Sequence, residues 1–63
     1  MRTPTDVLLA FERLPPELRA VLVEVHFRKR TVAEVARSLG VPTETVKARI
    51  YHAMRALRLA LDE

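Results

Sequence analysis

The sequence predicts an all-α fold of four helices, the last two forming a helix-turn-helix. Three observations point there. There is one glycine and there are three aromatic residues in 63 positions, a poor supply for strands and their turns. Apolar residues recur at spacings of three and four through most of the chain, the period of an amphipathic helix. Four prolines and the single glycine, Gly40, sit between those periodic runs rather than within them, where helix breakers belong. At this length one domain is expected, spanning residues 1–63.

Each helix can be justified from its ends. Thr3-Pro4-Thr5-Asp6 is a start signal: threonine to cap, proline at the first helical position and an acid three residues past the cap. Val7, Leu8, Phe11 and Leu14 follow at helical spacing. Pro15-Pro16 stops this helix, because neither proline supplies an N–H and each restricts the residue before it. Pro16 also opens the second helix, with Glu17 near its positive end and Leu18, Val21, Leu22 and Val25 as its apolar stripe. Arg28-Lys29-Arg30 breaks the pattern. Thr31-Val32-Ala33-Glu34 then reads as a capping box opening a short helix over 32–39. Gly40 sits where a helix end takes a left-handed residue. After Val41-Pro42, the last helix is expected from about Thr43 to about Leu61, with Val46, Ile50, Ala53, Leu57 and Leu61 buried.

Charge is segregated. Residues 1–27 carry three basic and four acidic side chains, a net of −1, whereas residues 28–58 carry eight basic and two acidic, a net of +6. A concentrated basic half favours a polyanionic partner. Other chemistries lack their residues. There is no cysteine, hence no disulfide, thiolate zinc site or cysteine nucleophile. Two histidines, His26 and His52, are too few for a metal site. No catalytic constellation or phosphate-binding loop occurs, so neither an enzyme nor a cofactor is expected. No apolar run approaches a membrane span and no signal peptide follows Met1-Arg2, so an intracellular module without membrane insertion is expected.

A short helix, a turn containing glycine and a longer helix make a helix-turn-helix, here over about 31–61. Val35 and Leu39 are expected to pack on Val46 and Ile50, with Val41 plugging the gap. The second helix of such a unit enters the DNA major groove and meets base edges with its N-terminal residues. A helical wheel centred on Val46 leaves Glu44, Thr45, Lys47, Ala48, Tyr51, His52, Arg55 and Arg58 outward, Arg49 at the flank and Leu59 as the apolar exception. Thr43, Glu44, Lys47 and Ala48 are the candidate base contacts. Glu44 can accept from a cytosine amino group and Lys47 can donate to guanine. Arg28, Lys29, Arg30 and Thr31, at the start of the supporting helix, and Arg49, His52 and Arg55 are the candidate phosphate contacts.

The segments Leu14-Pro15-Pro16-Glu17-Leu18-Arg19, Thr31-Val32-Ala33-Glu34-Val35-Ala36, Leu39-Gly40-Val41-Pro42 and Thr45-Val46-Lys47-Ala48-Arg49 together resemble region 4 of bacterial sigma factors, most closely the extracytoplasmic-function (ECF) class. The resemblance runs from about Ala10 to Leu61. It implies a bacterial cytoplasmic module that recognises the −35 element of double-stranded promoter DNA, contacts the flap of the RNA polymerase β subunit and is regulated by an anti-sigma factor. By position, Thr43, Glu44, Lys47 and Ala48 match the base-facing part of the family's recognition helix, and Arg49 and His52 match its backbone-contact or flanking positions. Two residues depart from the pattern. Lys29 stands where relatives usually have glycine, so a left-handed backbone there costs about 1 kcal/mol. Glu44 also replaces a common glycine, so the base preference cannot be copied from other members. With no region 2, unaided promoter melting is not expected, and the chain reads as a domain of a longer protein. Two alternatives stand beside this one. One is the output domain of a LuxR-type regulator, since Thr-Val-Lys after a Leu-Gly turn occurs there too; the other is the same fold used chiefly as a protein-binding platform. Leu9, Val23 and Phe27, left over from the core stripes, suit the second.

Overall fold

The computed structural model describes residues 3–62, and among these it contains helices and no strand. Helix α1 spans Pro4–Glu12 and α2 spans Pro16–Leu22, continuing as a π-helical turn over Val23–Phe27. Helix α3 spans Val32–Leu39 and α4 spans Thr43–Leu61. The helix boundaries expected for the second half are those observed.

The ends form as the local chemistry dictates. Thr3 accepts from the Asp6 N–H at 3.2 Å while the Asp6 carboxylate accepts from the Thr3 N–H at 3.1 Å. Thr31 and Glu34 make the same reciprocal pair at 3.1 and 2.9 Å. Each box satisfies two N–H groups that a helix start otherwise leaves without partners. The Pro15-Pro16 corner carries a further device that the sequence pattern did not reveal. Arg19 reaches back from α2 and donates to the main-chain carbonyls of Glu12, at 2.9 Å, and Leu14, at 3.3 Å, which binds the end of α1 to the start of α2.

The second helix departs from a regular α-helix. The Arg28 N–H bonds the Val23 carbonyl at 2.9 Å, and the Arg30 N–H bonds the Glu24 carbonyl at 3.0 Å. These widened steps bring the chain to Lys29, which is left-handed at φ +58°. The strained backbone conditional on Lys29 is therefore present. Gly40 is the other left-handed residue, at φ +69°. It ends α3 with the Val41 N–H on the Ala36 carbonyl at 3.0 Å and its own N–H on the Arg37 carbonyl at 3.3 Å, the paired bonds of a Schellman turn.

Two apolar clusters hold the helices together. Val21 from α2, Val35 and Ala36 from α3 and Val46 from α4 form the first, with Val25, Val32, Val41 and Ile50 packed on it. Val21, Val35 and Val46 are fully buried; each such side chain removed from water contributes about 1.5–3 kcal/mol. Val41 fills the gap between α3 and α4 as expected. Leu39 does not join it: it is 42% exposed, because the left-handed Gly40 turns the chain away directly after it. The second cluster joins Leu14, Leu22 and Ala53, with Phe11, Leu18, Ile50, Ala56 and Leu57 around them. Ile50 touches both. Val7 and Leu8, expected on the buried stripe of α1, are exposed and line an open groove, whereas Ala10 and, just beyond α1, Leu14 are buried and Phe11 packs on the second cluster.

Candidate nucleic-acid interface

The turn at Gly40–Pro42 and the burial of Val46 against Val35 decide which face of α4 is outward. Thr43, Glu44, Lys47 and Ala48 are all exposed on its first two turns. Glu44 and Lys47 lie one turn apart and pair, Oε1 to Nζ, at 3.5 Å. Their side chains remain 83% and 61% exposed, so this contact holds them weakly. A donor and an acceptor thus stand side by side on the presented face. The helix start itself has no side-chain cap. Farther along, Tyr51, His52, Arg55 and Arg58 are exposed and Arg49 is half-buried at the flank. Thr45 is half-buried, a small correction to the wheel. The His52 ring meets that of Tyr51 edge-on, with centroids 5.6 Å apart.

The second group of expected contacts precedes α3. Lys29 is exposed. Thr31 is exposed, with its hydroxyl committed to the Glu34 N–H. The same capping bonds hold the Glu34 carboxyl below its ordinary value of 4.5, Thr31 being the main cause and Arg30 and Arg37 lesser ones. Arg28 and Arg30 are not free-standing cations. Glu24, in the π-helical turn, receives Arg28 Nη1 at 3.0 Å and Arg30 Nε at 3.2 Å. The sequence signal for the first contact is the four-residue spacing of Glu24 and Arg28; the second depends on the left-handed turn and has no such signal.

On another side, Pro4, Val7, Leu8, Phe11, Phe27 and Met54 contribute to an open apolar groove of roughly 420 Å³ between α1, the π-helical turn and α4. Phe27 is 71% exposed and meets Phe11 edge-on at 6.1 Å. Leu9 is also exposed, and Val23 is half-buried. Among the described residues no group of three or more metal-ligating side chains gathers, and no helix is long and apolar enough to cross a membrane.

Comparison with known proteins places this arrangement. The family Sigma-70, region 4 matches residues 10–59, which contain α2, the π-helical turn and α3, the end of α1 and all but the last residues of α4. The chain belongs to the sigma-70 region 4 family. It is 39% identical over 70 aligned positions to the ECF RNA polymerase sigma factor SigL of Mycobacterium tuberculosis, an alignment covering 97% of this chain and 40% of that protein. It is 32% identical over 59 positions to the RNA polymerase sigma factor SigV of Bacillus subtilis, covering 94% of this chain and 36% of that protein. The chain thus spans about two fifths of the length of these relatives. The ECF class expected from the sequence is the class of the Mycobacterium relative, and region 4 membership decides between the sigma and LuxR-type readings in favour of sigma.

Proposed function

We propose that this region 4 chain binds promoter DNA, laying the N-terminal half of α4 in the major groove of the −35 element. The observation that carries the reading is the division of α4: Val46 is fully buried while Thr43, Glu44, Lys47 and Ala48 beside it are exposed. Major-groove readers place donors and acceptors at that end of the helix. Lys47 donates to guanine O6 or N7, Glu44 accepts from a cytosine amino group, Thr43 hydrogen-bonds a base edge or phosphate and Ala48 offers a methyl contact. Their mutual ion pair opens at little cost when DNA arrives, since both side chains are largely solvated. Arg28, Lys29, Arg30, Thr31, Arg49, His52 and Arg55 serve the phosphates.

The apolar groove beside Phe27 supports a second contact of the same module, with a protein. In this reading its occupants are the flap of the RNA polymerase β subunit and an anti-sigma factor, in the bacterial cytoplasm. No enzymatic activity is assigned to the chain.

The base-reading test is selection of bound sequences from a randomised duplex pool, followed by affinities on single-base variants. Lys47→Ala and Glu44→Ala should each change the preference at one base pair, by about 1–3 kcal/mol. Equal losses on every sequence for both variants reject the assignment.

A further inference from the structure

We propose that Glu24 is a positioning residue that clamps Arg28 and Arg30 into one preformed phosphate-binding pair. The inference deepens the DNA-binding reading and rests on it. One carboxylate receives both guanidinium groups, at 3.0 and 3.2 Å, and the main-chain carbonyl of the same glutamate holds the Arg30 N–H at 3.0 Å. Oε2 of Glu24 is shut off from solvent and makes no hydrogen bond; the Arg30 charge beside it is its compensation. The Glu24 side chain is 20% exposed, against 57% for Arg28 and 38% for Arg30, so the acid lies beneath and the cations above.

Two arginines held side by side repel one another, and a carboxylate between them offsets that repulsion. A guanidinium carries five N–H donors, and the contacts to Glu24 engage Nη1 of Arg28 and Nε of Arg30. Donors remain on both for a phosphate. Long basic side chains otherwise lose rotamer freedom on binding; here part of that ordering precedes the encounter. The clamp sits directly before α3, whose start carries the positive end of a helix dipole.

The consequence has an unusual sign. Glu24→Gln makes the chain more cationic, and counterion release alone then predicts tighter DNA binding. The clamp predicts the reverse. With the full chain and a short fluorescein-labelled duplex, anisotropy titrations over a salt series should show Glu24→Gln binding several-fold more weakly, with the log–log salt slope reduced by about one phosphate equivalent, roughly 0.9. The same change in an Arg28→Ala/Arg30→Ala background should cost nothing further. Equal or tighter binding by Glu24→Gln, while the double arginine variant is weakened, overturns the clamp and leaves the DNA-binding reading intact. Native-like binding by the double arginine variant removes these arginines from the interface and overturns the clamp with them. Circular dichroism checks that each variant stays helical. A measurement on the native chain stands if one does not: the Arg30 Nε–H should show a backbone-like heteronuclear NOE, and a freely mobile value overturns the proposal.

Discussion

Lys29 and Gly40 occupy similar backbone positions with opposite suitability. Both follow a helix and both are left-handed, at φ +58° and +69°, but only glycine reaches that region without a side-chain clash. Lys29→Gly should therefore raise stability by up to about 1 kcal/mol, and Gly40→Ala should lower it by about 1 kcal/mol. No atom lies within 4 Å of where a Cβ on Gly40 would stand, so its loss comes from the backbone alone. Urea midpoints at unchanged slope check both; a Lys29→Gly variant no more stable than the native chain removes the strain argument. Gly40 was legible because glycine after a periodic run has one common use. At position 29 a lysine within a basic run carries no local sign of a left-handed turn; only the family resemblance implies a glycine position there.

Helix α3 begins with a charge-dependent cap. Its Glu34 carboxyl is depressed below 4.5 by the bonds to Thr31, so the folded state holds the ionised form more strongly than the unfolded state does. A depressed folded value contributes stability above the unfolded value, and that contribution is lost as pH falls from about 4.5 through the lowered folded value. Native stability should decline over that window, and Glu34→Gln should decline less steeply across it. Parallel pH profiles for the two proteins defeat the assignment. Both capping boxes were readable from sequence because their bonds span three residues. The π-helical turn was not, because its widened steps accompany the way Glu24, Arg28 and Arg30 close on one another.

The chain is elongated, 37 × 19 × 15 Å, and its positive charge belongs to the half containing α3 and α4. A partner with many phosphates meets several of these cations at once, so log affinity for DNA should fall linearly with log salt, at about −0.9 per phosphate neutralised. Arg55 is exposed two turns beyond Ala48 on α4. Its replacement by alanine should weaken all duplexes alike and flatten the slope by about 0.9. A change of sequence preference instead would move Arg55 from the phosphates to the bases.

Local rules were enough for the capped starts of α1 and α3, the break at Gly40–Pro42 and, apart from Thr45, the outward residues expected on α4, since caps, breakers and the 3.6-residue period act over a few residues. Resemblance over nearly the whole chain was enough for the family. The tertiary structure decided three other matters: that Leu39, Val7 and Leu8 stay exposed, that Arg19 bridges the carbonyls of the Pro15-Pro16 corner, and that Glu24 takes Arg30 as well as its four-residue neighbour Arg28. The physical reason is common to all three. Exposure and side-chain pairing depend on which surfaces other helices cover and on where a turn redirects the chain, and neither is a property of any single segment.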